Sequence, residues 1–154
     1  MSTDTREALN RFLVDIFHSV LRNEERKLRQ TGYNDLSISE MHVIEAACLL
    51  QAQGHNTAKG LADSLNITPG SLTASVNVLE QKGYLRRSRD PEDRRRIHIT
   101  PTPRGLGAER CHRAIHEQMI DDVLGSLRHD EAEVLVQALE GVSRFFSSER
   151  TNDT

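Results

Sequence analysis

At 154 residues the chain has room for one domain built on one core, so a second, independent catalytic domain is not expected. Hydrophobic residues make up 36% and aromatics 4%, with no Trp, so the expected core is Leu, Ile, Val and Ala on helices, lean enough to gain from apolar surface shared with a second subunit. The formal net charge of -3 argues against nucleic acid only until it is mapped: Lys82, Arg86, Arg87, Arg89, Arg94, Arg95 and Arg96 stand against Asp90, Glu92 and Asp93, so residues 82–96 carry +4 and the remainder -7.

Residues 1–10 are polar and no apolar run approaches the ~20 residues of a membrane span, so neither a signal peptide nor an anchor is expected and the protein is expected in the cytoplasm. Leu9, Phe12, Leu13, Ile16, Phe17, Val20 and Leu21 repeat at helical spacing, predicting an amphipathic helix that ends near Gly32. Ser37 and Glu40 have the spacing of a capping box and open a helix through Met41, Val43, Ile44, Ala47 and Leu50 to about Gly54. A short helix from about Thr57 to Leu65, a break at Asn66-Ile67, and a second helix opened by Thr68-Pro69 and ended by Lys82-Gly83 make a helix-turn-helix. Leu61, Leu65, Ile67, Leu72, Val76 and Leu79 supply its small core, while Gly70, Thr73, Ala74, Asn77 and Gln81 form the opposite, small or polar face.

After Gly83 the period becomes two. Residues 84–89, a turn at Asp90-Pro91-Glu92-Asp93 and a strand over 94–100 predict a β-hairpin with a basic tip, the wing of a winged helix. Thr102-Pro103 starts a long helix to about Leu127 with Leu106, Cys111, Ile115, Met119 and Val123 on its buried face. Asp130 and Glu133 are spaced as a capping box for a last helix with Val134, Leu135, Leu139, Val142, Phe145 and Phe146, before a polar tail over 148–154. The expected class is mainly α with a small β-hairpin wing: residues 35–101 a winged helix-turn-helix, 1–34 and 102–148 a helical dimerisation region, 149–154 a frayed tail. Terminal helices this apolar, with no large sheet to cover, are expected to pack on those of a second copy about a two-fold axis.

This order of elements resembles the MarR family of bacterial regulators, and Asp90-Pro91-Glu92-Asp93-Arg94-Arg95-Arg96 resembles that family's wing signature. The likeness runs from about Glu7 to Ser148. Within the family, Glu24-Glu25, Leu28-Arg29, residues 37–42, 73–77 and 79–84, and His112 with His116 are most similar to the repressors of fatty-acid biosynthesis genes. That resemblance implies a homodimeric transcriptional repressor on palindromic double-stranded DNA, tightened by long-chain acyl groups carried on acyl carrier protein.

The helix over 68–82 is expected to enter the major groove. There Asn77 can pair with an adenine edge, Thr73 or Ala74 can meet thymine methyls, Gly70 allows close approach, and Thr68 and Ser71 at the helix start suit phosphates. By resemblance, one of Arg94, Arg95 and Arg96 enters the adjacent minor groove. Asp93 is expected either to orient that guanidinium or merely to close the hairpin turn.

His112 and His116, four apart on one helix, have the spacing of two imidazoles sharing a metal, with Glu109 on the same face. Zinc-sensing members of the family resemble this set, which here would add Glu24 and His42 and make the chain a regulator of metal-uptake genes. In the alternative, His42 is a satisfied core histidine and the other two are exposed or bonded to carboxylates. An acyl ligand would need an apolar cavity, for which Ile16, Val20, Met41 and Ile115 are candidates, each equally readable as filled core. No cofactor is required by either reading.

Catalysis is not expected: Gly70-Ser71 is no GxSxG elbow, and Gly105-Leu106-Gly107 does not continue as a dinucleotide loop. Nor is a thiol switch, because Cys48 and Cys111 stand alone on apolar faces as small core residues, where burial disfavours the thiolate.

Overall fold

Residues 3–149 are described in a computed structural model of the chain. Thr3–Arg11 (α1), a π-helical turn at Phe12–Ile16 and Phe17–Arg29 (α2) run as one continuous helical stretch, since the residues flanking the π turn keep right-handed helical angles. Ile38–Ala52 (α3), Ala58–Leu65 (α4) and Pro69–Gln81 (α5) follow, then Leu85–Arg89 (β1), Ile97–Pro101 (β2), Pro103–Gly125 (α6) and His129–Glu149 (α7). The fold is the expected winged helix-turn-helix, mostly helical with one antiparallel hairpin. Two compact units divide it, Met1–Ile115 and His116–Thr154.

The helix starts in the first unit follow from side-chain caps. Ser37 accepts the Glu40 amide at 3.2 Å while Glu40 accepts the Ser37 amide at 2.9 Å, a complete capping box. Thr57 caps α4 through the Gly60 amide and Thr68 caps α5 through the Ser71 amide, with Pro69 in the first turn. Thr102 caps α6 through Gly105 and donates its hydroxyl to the Gly83 carbonyl at 2.6 Å.

The core of this unit runs from Leu28 and Met41 through Ile44 and Leu61 to Leu79, Leu85 and Ile99. Tyr84 is fully buried, its hydroxyl donating to Asp35 at 2.6 Å and its ring covered by the Arg104 guanidinium 4.3 Å from the centroid. Burial first, then the hydrogen bond to Asp35 and that residue's charge, push the Tyr84 phenol from 10.0 up to about 12. A phenol raised by folding favours the native state only while the unfolded phenol also keeps its proton. Its contribution is therefore whole below pH 10 and is lost as the pH rises toward 12. Thermal midpoints measured across that interval should fall more steeply for the wild type than for Tyr84→Phe; parallel curves would contradict this.

Several expectations are corrected. The three wing arginines lie in the turn and not in the second strand, which begins at Ile97. The Asp90 carboxylate accepts the Glu92 and Asp93 amides, and the Arg96 amide donates to the Asp93 carbonyl, so the turn is built from consecutive tight loops that use up residues 90–96. The buried face of α6 carries Gly105, Ala108, His112 and Ile115, whereas Leu106 is exposed and Cys111 half-buried. The face starts on a glycine because the backbone of α6 approaches the Tyr84 carbonyl there, leaving no space for a side chain at Gly105.

Cys48 is likewise half-buried, packed against the core's edge. Burial, then the charges of Glu109 and Glu45, push its thiol from 9.0 up to about 11, which disfavours the thiolate as expected.

In the second unit α7 begins at His129, not after Asp130. Glu131 reaches back to the Arg128 amide at 2.9 Å, and Asp130 pairs with the Arg128 guanidinium instead of capping. Val134, Val136, Leu139 and Val142 of α7 are exposed, with Val134 at 65%. Val123 at the end of α6 is exposed as well, against the expectation of a buried face. Helix α7 continues through 148 and 149, where a polar tail was expected; side chains 145–149, among them Phe145 and Phe146, and residues 150–154 lie outside the described residues. Among the described residues no helix is long and apolar enough to cross a membrane.

Candidate nucleic-acid interface

Helix α5 turns its two faces to different tasks. Leu72, Val76 and Leu79 are buried against the core, and Gly70, Ser71, Thr73, Ala74, Asn77 and Gln81 are all exposed. The preceding turn is set by Asn66, whose left-handed backbone (φ 53) ends α4 with its own amide on Asp63 and the Ile67 amide on Ala62.

Individual side chains on this face have distinct capacities. The Thr68 hydroxyl accepts the Ser71 amide and donates to the Ser71 hydroxyl at 2.9 Å, so it serves the helix end first. Thr73 donates its hydroxyl to the Pro69 carbonyl at 2.9 Å, which leaves its methyl for an apolar contact such as a thymine. Asn77 is exposed, and its amide is of the kind that pairs with an adenine edge.

The wing is an antiparallel pair in which Leu85 faces Pro101 and Arg89 faces Ile97. Arg94, Arg95 and Arg96 are exposed at its tip, with Arg86 and Arg89 exposed along β1. Asp93 accepts the Arg95 amide at 3.0 Å, while the Arg96 guanidinium stands 3.8 Å away. That separation is an ion pair and not a hydrogen bond, so Asp93 closes the turn and orients Arg96 only loosely. Asp90 holds the other side of the turn: its hydrogen bond from His98 at 2.8 Å, then those from the Glu92 and Asp93 amides, hold its carboxyl down to about 2.

Sequence reasoning missed Arg87, which counted as one more cation in the basic run. It is half-buried and spent internally: its amide and guanidinium both bind the Glu80 carboxylate, and a further guanidinium nitrogen donates to the Thr73 carbonyl at 3.1 Å. This clamp ties the wing to the exposed helix face. Asn56 was missed as well; it is buried, and its side chain donates to the Ile99 carbonyl at 2.9 Å while the Ile99 amide donates back to the Asn56 carbonyl at 2.8 Å. The only signal for either was composition, which cannot show a pairing of Asn56 and Ile99 across 43 residues.

The description "MarR family" fits residues 36–97, the stretch from the capping box to the start of β2. The transcriptional regulator SarZ of Staphylococcus haemolyticus is 31% identical over 109 residues, 71% of each chain. The structure of Streptococcus pneumoniae FabT in complex with DNA superimposes with a TM-score of 0.84 and 32% identity, covering 93% of this chain and 98% of that one. This chain belongs to the MarR family. MhqR of Bacillus subtilis, another transcriptional regulator, is 28% identical over 90% of this chain and 92% of its own.

In this MarR-family chain the residues considered for a metal separate into two groups. Glu24 (α2) and His112 (α6) are both buried, and their possible ligand atoms lie within 4.8 Å of each other. His116 follows one turn along α6, half-buried. His42 is half-buried with its ring edge-on to His112, centroids 6.1 Å apart, and is not one of the grouped ligands. His112 also meets the Glu45 carboxylate through Nδ1 at 2.6 Å. Burial opposes a charge on His112, but that bond and the charges of Glu45, Glu24 and Glu109 outweigh it, raising its pKa above 6.5.

Among the residues considered for an acyl ligand, Met41 and Ile115 are packed core, Val20 is half-buried and Ile16 is exposed. An open cavity of about 690 Å³ lies instead against α3, lined by His42, Glu45, Cys48, Leu49, Leu65 and Glu109 among others.

Proposed function

We propose that this MarR-family regulator is a cytoplasmic homodimeric repressor of fatty-acid biosynthesis genes, reading palindromic duplex DNA in response to long-chain acyl groups on acyl carrier protein. The observation that carries this reading is the likeness to FabT, at 32% identity over nearly the whole of both chains. Dimerisation over 1–34 and 102–148 is supported by apolar residues that each unit leaves in water: Leu9, Phe12, Leu13 and Phe17 in the first, Val134, Val136, Leu139 and Val142 in the second. Two-fold pairing would present two copies of α5 and the wing to one palindrome.

In this reading Thr73, Ala74 and Asn77 meet bases, Thr68, Gly70 and Ser71 approach the backbone, and the tip formed by Arg94, Arg95 and Arg96 reaches the neighbouring minor groove. Asn77→Ala is expected to weaken operator binding by about 1–3 kcal/mol and relax the preference for one base pair in each half-site. Gel-shift titration against single-base operator variants at fixed salt checks it, and an unchanged preference would remove Asn77 from base readout.

The second reading is a zinc-responsive regulator, favoured by the buried approach of Glu24 to His112. The Glu24 carboxylate and the His112 imidazole suit an N/O-liganded divalent ion, which would supply folding free energy and bias the DNA-binding state. The Glu45 contact favours a structural role for His112. Operator binding measured with and without long-chain acyl carrier protein, and in parallel with zinc and with a chelator, separates the two: tightening by the acyl carrier alone supports the lipid reading, and response to zinc alone supports the metal reading.

A further inference from the structure

A two-stranded hairpin leaves the outer backbone groups of both strands unpaired and is barely stable by itself, so something else must hold the wing in place. The helical part of the winged helix does so at a single rung. Arg87 of β1 and Ile99 of β2 stand opposite each other in the antiparallel pair. On one side the Arg87 amide donates to the Glu80 carboxylate at 2.7 Å. On the other the Ile99 amide donates to the Asn56 carbonyl at 2.8 Å, and the Asn56 side chain donates to the Ile99 carbonyl at 2.9 Å. Thr57 bridges His98 one rung further out. Beyond it, among the described residues, the hydrogen bonds of the turn stay within the wing, so the arginine tip is a lever whose aim is decided at this rung.

The two attachments differ in kind. Arg87 and Glu80 are a partly exposed ion pair, in competition with water. Asn56 and Ile99 are buried, so water cannot take over a bond lost between them. The chemistry also calls for asparagine. Its amide nitrogen is the donor that the Ile99 carbonyl needs, whereas an aspartate of the same shape would bring only acceptors. Since Thr57 caps α4, the Asn56 side chain serves no helix end and is given over to β2, with the Thr100 hydroxyl 3.4 Å away.

We infer that Asn56 is a positioning residue for DNA recognition, holding β2 so that the arginine tip stands at a set distance and angle from α5. Being buried, it acts through the wing and not by reaching a duplex itself. The inference rests on the DNA-binding reading and adds to it a residue outside both the helix and the hairpin that meet DNA in that reading. Without this anchor only the molecules whose wing is in place are ready to bind, and the apparent affinity falls with their fraction.

A duplex enriched by the wild type from a random library serves as probe. It would be titrated by fluorescence anisotropy at one low salt concentration, far below the thermal midpoint of every protein compared. Asn56→Ala should weaken binding about 3- to 10-fold. The same change in a tip variant carrying Arg94→Ala, Arg95→Ala and Arg96→Ala should cost less than about twofold, because a tip without its charges gains nothing from being aimed. Should Asn56→Ala not fold, Asn56→Ser replaces it in the same cycle. Wild-type affinity in the single variant, or an equal loss with and without the tip arginines, overturns the positioning role and leaves the DNA-binding reading standing. Failure of the wild type to enrich any duplex overturns both.

Discussion

Gly105→Ala is expected to destabilise the first unit by about 1–3 kcal/mol, the range for overpacking, and to lower the thermal midpoint by roughly 4–10 °C. A Cβ at 105 would collide with the Tyr84 carbonyl oxygen and stand 3.4 Å from the Pro101 side chain. That carbonyl has little freedom to retreat, because it accepts the Thr102 amide at 3.0 Å and lies 3.1 Å from the Thr102 hydroxyl, whose proton it shares with the nearer Gly83 carbonyl. The added methyl must therefore displace α6 from the hairpin base or break the cap that starts α6. Gly107→Ala is the control, since the methyl there meets the tip of the Tyr33 side chain, which can rotate away. Calorimetry on the two variants decides the matter, and a Gly105→Ala midpoint within a degree of wild type would refute the close-approach account.

The second large effect is expected at Leu79→Ala. Leu79 is fully buried on the inner face of α5, and truncating such a side chain costs about 2–5 kcal/mol, the spread reflecting how far the site can collapse. Collapse is limited here, because the Leu79 carbonyl accepts the Tyr84 amide at 2.8 Å and so links the helix end to the start of the wing. A shift of α5 would also disturb Glu80, which holds Arg87. The variant should lose thermal stability and DNA affinity together. Val78→Ala, one residue away and 38% exposed, should change stability by no more than about 0.5 kcal/mol. Similar midpoints for both variants would contradict the burial argument.

Much of the architecture was legible because it is written in local chemistry. Ser37 with Glu40, Thr57, Thr68-Pro69, Asn66 and Thr102 are short-range signals whose hydrogen bonds form within a few residues, so spacing alone reveals them. The outward face of α5 was legible for the same reason: helical periodicity separates Leu72, Val76 and Leu79 from Thr73, Ala74 and Asn77. What failed to show depends on partners far away in the chain. The buried face of α6 is lined by Gly105 and Ala108 because another backbone presses on it, and hydrophobic periodicity follows large side chains instead. Asp130 looked like a cap, but Glu131 was better placed to reach the amide before the helix. Arg87 looked like any cation of the basic run, and only its approach to Glu80 and Thr73 separates it from Arg94 to Arg96.

The bond between Arg87 and Glu80 makes the winged helix a fixed gauge. Because the hairpin cannot pivot without dragging α5, the separation of α5 and the wing is set before any duplex arrives. A duplex whose grooves are wider or narrower than that separation must itself be deformed to fit. In the proposed complex, base pairs lying between the two groups of contacts would then influence affinity through their stiffness, without a side chain touching them.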